Sequence, residues 1–269
     1  MYIAIDIGGT KTLVATLTDQ GVIKESVKFP TPQVYTAWKK QLTSTIAGLE
    51  TKQFKGGTVA IPGEVDRKNG IAVMFGNLPW RDIHLVKDVE AITGCPMLTE
   101  NDAKLAGLSE AMLLKDKYSR VLYVTISTGV GIGLTVDQKI DTAIGDGGGR
   151  TMLLMHEGKM VPWETFGAGS SIVKQYGKFA SEITDKATWK KIVHNFTPGF
   201  IELIAILEPE VIVIGGGAGA YLERFHEFLV ADLKKYETPM FIVPPILGAQ
   251  RPDEAVVYGC YDYAKQHFS

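Results

Sequence analysis

Two short glycine-rich turns are the segments of this chain best suited to chemistry. Residues 1–16 read MYIAIDIGGTKTLVAT, and residues 123–134 read YVTISTGVGIGL. In each segment an apolar strand turns on glycines and continues as a second strand. Glycine permits positive φ and lets ligand oxygens approach the backbone N–H groups. Two such hairpins, about half the chain apart, predict a protein that holds the phosphate chain of a nucleotide from both sides.

The first hairpin offers phosphate donors and a metal ligand. Backbone N–H groups of Gly8, Gly9 and Thr10 can bind β- and γ-phosphate oxygens, and Thr10 adds a hydroxyl group. Lys11 belongs to the same predicted phosphate-binding segment. Asp6, at the strand end, can hold Mg²⁺ through water, because this ion keeps several waters when protein binds it. The alternative interpretation is an ordinary hairpin with a glycine turn.

Two later glycine segments extend this nucleotide site. Thr128 and Gly129 of the second hairpin are predicted to contact the same phosphates. The run Gly215, Gly216 and Gly217 follows an apolar strand and precedes a helix. Three glycines permit the close approach of a flat adenosine, and a helix N-terminus favours negative charge. The alternative is a strand-to-helix turn that needs unusual φ.

Glu100, Asn101 and Asp102 form the segment that we predict to carry catalysis. Phosphoryl transfer to an alcohol needs in-line placement, charge neutralisation and a carboxylate that accepts the hydroxyl proton. Asp102 is the candidate base, and its place at a helix start is expected to keep it ionised. Asn101 can both donate to and accept from hydroxyl groups. The alternative for this pair is a plain helix N-cap, and Glu100 is given no chemical role.

Alternating strand and helix patterns predict the α/β frame that positions these residues. Strands are expected at 2–6, 11–17, 21–29, 58–61 and 211–214, with a further run of strands over 120–140. Helices are expected at 34–49, from 101 or 102 onward, at 200–207, around 222–233 and at 253–267. The helix at 200–207 is apolar almost all round and is therefore expected to be buried. Residues 141–170 show no clean periodicity and are predicted to form a long loop.

Composition excludes several classes of protein. The 269 residues are 45 % apolar and 22 % charged, with a net charge of −2, so nothing favours nucleic acid as a partner. Cys95 and Cys260 fit neither a disulfide framework nor a zinc spacing. The N-terminus lacks a signal-peptide pattern, and no apolar stretch approaches the roughly 18 residues of a membrane span. We expect a cytoplasmic protein with neither a nucleic-acid nor a membrane partner.

Together these segments resemble the ROK family of sugar kinases, within the actin/hexokinase ATPase superfamily. The matching stretches, in the family's order, are DIGGTKT at 6–12, PGEVD at 62–66, NLPW at 77–80, ENDAKLAG at 100–107, STGVGIG at 127–133 and IGGGAG at 214–219. The resemblance implies two ribonuclease-H-like (actin-like ATPase) α/β domains flanking a cleft. These would be residues 1–115 with 253–269, and residues 116–252. It also implies ATP and Mg²⁺ as cofactors and a sugar as substrate, and it leaves a homodimer open.

The resemblance also assigns a sugar site. Its predicted residues are Gly63, Asn77, Asn101, Asp102, Asp146 and Glu164. Pro62 fits plain turn chemistry, and Trp80 fits packing of its loop. ROK kinases commonly carry a Gly-His pair and three cysteines that bind zinc, but residues 145–171 contain no cysteine. Because a closed zinc site needs about four ligands, we expect no zinc, and we expect His156 to be an exposed loop residue. Asp146 would stand for the family's Glu.

The leading hypothesis is an ATP-dependent hexose kinase, with glucose as the first candidate. A pocket that lacks one positioned hydrogen-bond partner can lose discrimination, so N-acetylmannosamine, fructose and allose stay open. A non-catalytic, sugar-binding sensor is the hypothesis from another class. A DNA-binding repressor is disfavoured, because family repressors carry a helix-turn-helix before the first hairpin, whose strand here starts at Tyr2.

Overall fold

The computed structural model describes residues 1–269 as fifteen strands and nine α-helices. The strands are β1 (Tyr2–Ile7), β2 (Lys11–Leu17), β3 (Ile23–Pro30), β4 (Gly56–Ile61), β5 (Gly63–Asp66), β6 (Ile71–Phe75), β7 (Arg81–Ile83), β8 (Met97–Asn101), β9 (Arg120–Ile126), β10 (Val130–Val136), β11 (Lys139–Ile140), β12 (Leu153–His156), β13 (Lys159–Pro162), β14 (Val211–Gly215) and β15 (Ile246–Gly248). The helices are α1 (Tyr35–Gly48), α2 (Leu85–Thr93), α3 (Asp102–Leu113), α4 (Glu164–Gly167), α5 (Gly169–Tyr176), α6 (Lys186–Leu207), α7 (Gly216–Gly219), α8 (His226–Lys234) and α9 (Ala255–Phe268). None of these helices combines the length and apolar composition needed to cross a membrane.

Contacts divide the chain into two compact units. Unit 1 comprises Met1–Met112 and Asp253–Ser269, and unit 2 comprises Leu113–Pro252. Unit 1 contains a five-stranded sheet of order β3-β2-β1-β4-β8. The strands β1, β4 and β8 are parallel, whereas β2 and β3 are antiparallel to their neighbours. The apolar side chains of β1 are buried, as expected of a strand covered on both faces.

Helices cover the sheet of unit 1. In α1 the buried residues Trp38, Leu42 and Ile46 recur every four positions, which gives one apolar face. These side chains pack in the core with Ile3 and Ile5 of β1. The C-terminal helix α9 packs on β1 and β4. A separate three-stranded antiparallel sheet, β5-β6-β7, completes this unit.

Unit 2 repeats the arrangement of the large sheet. Its order is β11-β10-β9-β14-β15, with β9, β14 and β15 parallel and with β10 and β11 antiparallel to their neighbours. Its core joins Leu122 and Val124 of β9 to Trp189, Phe196 and Phe200 of α6. Strand order and direction are therefore the same in the two units.

The segment 141–170 is not the long loop that the sequence predicted. It contains the β12–β13 hairpin, in which His156 pairs with Lys159 across the turn residues Glu157 and Gly158. Both turn residues have positive φ, 49° and 76°. Asn-Gly and Asp-Gly are the strong sequence signals for such a turn, and Glu-Gly is not one of them. Leu153 and Met155 also lie exposed on one face, so the apolar residues give no inward-facing pattern.

Helix α6 is longer and more amphipathic than expected. It runs over 22 residues, with Pro198 in its interior. Phe200, Leu203 and Ile204 are buried, but Ile206 is 73 % exposed. The prediction that residues 200–207 are buried all round was therefore wrong, because only one face of the helix packs on the core.

Candidate functional site

The carboxyl ends of the parallel strands in unit 1 bring the predicted catalytic residues together. In the strand register Asp6 lies beside Ala60, and Ala60 lies beside Glu100. Asn101 ends β8, and Asp102 begins α3 immediately afterwards. Residues separated by almost a hundred positions thus share one edge of the sheet. The Gly8–Thr10 turn follows β1 at the same edge.

Close packing, not positive φ, explains the glycines of the first turn. Neither Gly8 nor Gly9 has positive φ, so the conformational reason expected from the sequence was wrong. A Cβ on Gly8 would lie 2.9 Å from the carbonyl oxygen of Lys11, to which the Gly8 N–H donates. A Cβ on Gly9 would lie 2.8 Å from Cβ of Asn77. The turn is therefore compact, and it touches one of the predicted sugar-site residues.

A buried polar network holds this turn in place. Oγ1 of Thr31 donates to the carbonyl oxygen of Gly8 at 2.8 Å, and the Thr31 N–H donates to the carbonyl of Thr10 at 3.0 Å. Oγ1 of Thr12 lies 2.9 Å from Oγ1 of Thr31 and accepts from Nε1 of Trp38 at 3.1 Å. Both threonines and the tryptophan are buried, so breaking a link leaves an unpaired polar group. No pattern of neighbouring residues indicated this network.

Asn101 is mainly a structural residue in this geometry. Its Oδ1 accepts from the N–H groups of Ala103 (3.0 Å) and Lys104 (3.2 Å), which makes it the cap of α3. Its Nδ2 donates to the carbonyl oxygen of Gly63 at 3.0 Å. An amide has two acceptor lone pairs and two donor hydrogens, so one N–H remains for a substrate. Both lone pairs of Oδ1 are already used. Asn101 therefore does not accept from a substrate hydroxyl group, although the sequence had predicted that it would.

Asp102 accepts backbone hydrogen bonds at the start of α3. Its Oδ1 accepts from the N–H of Ala103 at 2.8 Å. Burial raises the pKa of Asp102 from 3.8 to about 6, and the hydrogen bond from Ala103 opposes this shift only in part. The expected effect of the helix start is therefore outweighed by desolvation. At neutral pH the carboxylate is still mostly ionised, and it is more basic than an ordinary aspartate.

Asp6 is the second carboxylate at this edge. Burial is the main cause that raises its pKa to about 7, the nearby charge of Asp102 raises it further, and Lys28 acts in the opposite direction. Two buried carboxylates, of which Asp102 raises the proton affinity of Asp6, form a site that would favour a cation. Elsewhere, no three His, Cys, Asp or Glu side chains gather as a metal-binding group.

Glu100 is occupied by a contact that the sequence did not indicate. Its buried carboxylate accepts from Nε of Arg67 at 2.7 Å and from Nη2 of Arg67 at 2.5 Å. It also accepts from the N–H of Asn101 at 2.6 Å. Such a two-point ion pair fixes the direction of both side chains. Glu100 therefore secures the end of β8 instead of facing a substrate.

The loop after β6 packs through its tryptophan. Trp80 is buried and donates from Nε1 to the carbonyl oxygen of Gln33 at 2.7 Å. Asn77, in the same loop, is exposed and lies against Gly9. At the same end of the β5–β6 hairpin, Gly63 pairs with Phe75. A Cβ on Gly63 would lie 1.8 Å from the carbonyl oxygen of Met74. Gly63 is thus required by packing, while its carbonyl holds Asn101.

The second glycine hairpin lies in unit 2 and is fixed by the start of α5. The Ser127 N–H donates to the carbonyl of Gly129 at 2.9 Å, which closes the turn. The Gly169 N–H donates to the carbonyl of Ser127 at 2.7 Å, and Oγ of Ser170 donates to the carbonyl of Thr128 at 2.6 Å. Thr128 itself is exposed. The turn is therefore held by its carbonyls, in the same way as the first hairpin.

A groove of about 560 Å³ runs from this hairpin to the third glycine segment. Its polar lining residues include Ser127, Thr128 and Ser170 of the hairpin and the start of α5. The rest of the lining is mostly apolar and comprises Val173, Phe179, Ala180, Ala218 and Tyr221, with Gly217. A groove that combines hydroxyl groups with apolar side chains suits a nucleotide, which has both a polar and a flat apolar part.

The three glycines at 215–217 do not share one role. A Cβ on Gly215 would lie 2.2 Å from the hydroxyl of Tyr123, and Gly216 has a φ of 81°. A Cβ on Gly217 would meet nothing within 4 Å. Gly215 and Gly216 are therefore explained by packing and turn geometry, and Gly217 alone faces open space in the groove. The segment that follows, α7, is a single helical turn of four residues. The helix expected around 222–233 is α8, which begins at His226.

The predicted sugar-site residues of unit 2 lie around the second hairpin. A Cβ on Gly129 would lie 2.7 Å from Oε2 of Glu164, and Oε1 of Glu164 accepts from Nε of Arg150 at 3.1 Å. The turn at 148–150 packs on β10, since a Cβ on Gly149 would lie 2.7 Å from Cβ of Val130. Asp146 is partly buried just before this turn. Arg150 is the residue that sequence reasoning missed here.

His156 was wrongly expected to be an exposed loop residue. It ends β12, is half-buried, and stacks on the ring of Phe166 with centroids 4.1 Å apart and an interplanar angle of 3°. Neither cysteine lies in this part of the chain, and both Cys95 and Cys260 are buried free thiols.

The chain belongs to the ROK family, whose family model matches residues 2–267. Glucokinase from Streptomyces coelicolor is 28 % identical over 99 % of this chain and 98 % of its own length. N-acetylmannosamine kinase from Salmonella arizonae is 30 % identical over 88 % of this chain and 91 % of its own. The resemblance noted from the sequence is thereby confirmed.

A solved structure shows the same fold. The ROK glucokinase of Streptomyces griseus, in complex with glucose and AMPPNP, superposes with a TM-score of 0.83 at 21 % identity, over 98 % of this chain and 99 % of that chain. This likeness confirms the predicted α/β fold of the actin-like ATPase type. Within this chain, the two large sheets of the fold have the same strand order.

Proposed function

We propose that this protein transfers the γ-phosphoryl group of ATP to a hydroxyl group of a hexose. The observation that carries the proposal is the shared sheet edge of unit 1, where the Gly8–Thr10 turn, Asp6 and Asp102 lie together. A phosphate-binding turn beside a basic, partly buried carboxylate is the minimum that such a transfer requires. The names of the family relatives, which include a glucokinase and an N-acetylmannosamine kinase, support this reaction.

Asp102 is proposed as the general base. Its second carboxylate oxygen would accept the proton of the acceptor hydroxyl while the hydroxyl oxygen attacks the γ-phosphorus and ADP leaves. A pKa of about 6 suits this role, because a base works best when its pKa lies near the operating pH. Asn101 would contribute its remaining N–H to the sugar, and Asn77 and Gly63 would border the acceptor.

The nucleotide is proposed to bind both glycine hairpins. The N–H groups of Gly9 and Thr10, with Lys11 beside them, would bind phosphate oxygens. The N–H of Gly8, also predicted to do so, already donates to the carbonyl oxygen of Lys11 and shapes the turn instead. In unit 2 Thr128 and Gly129 would do the same. The groove of unit 2 would take the adenosine at Gly217, with Gly215 and Gly216 shaping the turn around it. The domain division predicted from the sequence, 1–115 with 253–269 and 116–252, is kept as part of this proposal.

Asp6 fits a water-mediated Mg²⁺ site. Mg²⁺ usually keeps several waters and needs only one or two protein carboxylates, so the absence of a larger acidic cluster is no obstacle. The charge of Lys28 only partly offsets the burial and the Asp102 charge that raise the pKa of Asp6, so a further cation there would be favourable. When bound, the ion would neutralise charge on the transferring phosphoryl group.

Glucose is the first candidate acceptor, and one observation favours an N-acetylated hexose as the second. Glu164 can accept from two adjacent sugar hydroxyls, and Asp146 lies in the preceding turn. Arg150, which pairs with Glu164 through Nε, has further guanidinium donors, and the carbonyl oxygen of an acetamido group is a strong acceptor for them. N-acetylmannosamine is such a sugar.

The proposal is tested by following ADP release from Mg-ATP with glucose, N-acetylmannosamine, fructose and allose. We expect one of these sugars to raise ADP release well above the rate without sugar. If none does, while calorimetry detects tight sugar binding, the protein is a sensor and not a kinase. A homodimer and a cytoplasmic location stay predictions of the sequence.

A further inference from the structure

One arginine contacts two segments that line the groove in unit 2. Arg224 follows Tyr221 by three residues, and its guanidinium carbon lies 4.4 Å from the centre of the Tyr221 ring. Its Nη1 donates to the carbonyl oxygens of Ala180 (3.3 Å), Ser181 (2.9 Å) and Ile183 (2.9 Å). A side chain with these contacts fixes the segment 180–183 against the tyrosine.

The residues that Arg224 holds are themselves groove residues. Ala180, Ser181 and Tyr221 line the groove, together with Phe179. The segment is also closed locally, since the Phe179 N–H donates to Oε2 of Glu182 at 2.7 Å. Although Phe179 is a large apolar residue, its side chain is 65 % exposed. Packing within the protein therefore does not explain the position of this ring, whereas a flat ligand in the groove would cover it.

We propose that Arg224 is a positioning residue for the nucleotide base. It keeps the 180–183 segment and Tyr221 at a fixed separation, and Phe179 packs against the base at the groove entrance. This inference rests on the proposed ATP site and adds two residues that the family resemblance did not indicate. The planar guanidinium is suited to this task, because it can stack on a ring and donate within its plane at the same time, which a lysine cannot do.

The backbone carbonyls of Ala180, Ser181 and Ile183 are therefore directed at Arg224. A backbone carbonyl that accepts from a charged guanidinium is a poorer acceptor for a ligand amino group. Recognition in this part of the groove is therefore by stacking and apolar contact, and removing an aromatic contact from a base typically weakens binding several-fold or more.

The test is calorimetric titration of ATP into the full-length protein, without sugar, followed by steady-state kinetics. For Arg224→Ala we expect ATP to bind about tenfold more weakly, as when a central anchoring residue is lost from an interface. The KM for ATP should rise in parallel, whereas kcat at saturating ATP and the KM for sugar should stay within about twofold. Arg224→Lys should recover only part of the loss.

Arg120→Ala is the matched control. Arg120 also donates to a backbone carbonyl in unit 2, that of Glu208 at 3.1 Å, but neither residue lines the groove. Its ATP affinity should equal that of the wild type. Phe179→Ala serves if Arg224→Ala does not fold, since truncating an exposed ring leaves the core intact, and it should weaken ATP binding about fivefold.

The inference is overturned if Arg224→Ala, folded, binds ATP within twofold of the wild type, or if Phe179→Ala does. A wild-type protein that binds ATP but phosphorylates no sugar would refute the proposed function alone, because the binding arm needs no turnover.

Discussion

At the carboxyl end of β1 in unit 1 the chain places Asp6 and then a glycine turn. At the carboxyl end of β9 in unit 2 it places Ser127, Thr128 and Gly129. The two sheets have the same strand order and directions, and in both a turn follows the first strand of the sheet. The later parallel strands of the two sheets end in different residues. In unit 1, β8 contains Glu100 and is soon followed by Asp102, whereas in unit 2 β14 ends at Gly215 and is followed by further glycines.

This difference separates the frame from its chemistry. Sheet topology determines which chain positions meet at an edge, and side-chain type determines what that edge can do. Unit 1 gathers two carboxylates whose pKa values are raised by burial. Unit 2 gathers hydroxyls, glycines and an apolar groove. The predictions that follow test whether proton transfer depends on unit 1 and nucleotide affinity on each hairpin.

The largest expected effect is that of Asp102→Ala. Removing the base should lower kcat by at least about 10²-fold, since general base catalysis contributes that much or more. The KM for ATP should change little, because Asp102 is proposed to contact the acceptor hydroxyl and not the nucleotide. Turnover is measured by coupled ADP release, with the exposed Asp116→Ala as the control variant. Unchanged kcat would show that the proton acceptor lies elsewhere.

The pH dependence of the rate should follow Asp102. A base must be deprotonated, and its pKa of about 6 is raised above the ordinary 3.8, so activity is lost at a higher pH than with an ordinary aspartate. We expect kcat/KM to fall about tenfold per pH unit below about pH 6. Initial rates between pH 5 and 8 measure this. A flat profile down to pH 5 would contradict the assignment, provided that the protein stays folded.

Thr12→Val should test the polar network that supports the first turn, because it leaves the turn residues themselves unchanged. The change leaves the buried Nε1–H of Trp38 without its acceptor and breaks the contact with Thr31. We expect a loss of about 1–3 kcal/mol of unfolding free energy, with a higher KM for ATP. Urea denaturation measures the first quantity.

Thr58→Val is the matched control for this change. Thr58 is buried in the same sheet, and its hydroxyl has no hydrogen-bond partner. Valine there should be neutral or stabilising, because it removes an unsatisfied polar group. If both variants lose the same stability, the polar network contributes nothing specific.

Gly217→Ala should have the smallest effect and the most selective one. Its new Cβ would meet no protein atom within 4 Å, and its φ is not in the left-handed region, so stability should be unchanged or slightly higher. The methyl group would still enter the groove, and we expect the KM for ATP to rise a few-fold. Gly48→Ala, which is also unobstructed but lies in unit 1, should leave the KM unchanged. An unaltered KM in Gly217→Ala would remove Gly217 from the nucleotide site.

Much of the fold was predictable because its signals are local. The spacing of Trp38, Leu42 and Ile46 predicted α1, and the apolar run at β1 predicted a central strand. The β12–β13 hairpin was missed, because its turn residues are Glu and Gly and its apolar side chains face outward. The spacing of apolar residues predicts which face of a helix or strand is buried. The prediction fails for an element whose buried face is not the apolar one.

The sequence by itself determined the family, the glycine turns and the candidate base, since each is a short run of neighbouring residues. Only the tertiary structure decided that burial raises the pKa values of Asp6 and Asp102 and that Arg67 pairs with Glu100. It also decided that Arg224 holds the groove wall. These properties depend on desolvation and on partners from distant parts of the chain, and strand pairing, which is not written in local spacing, is what brings those partners together.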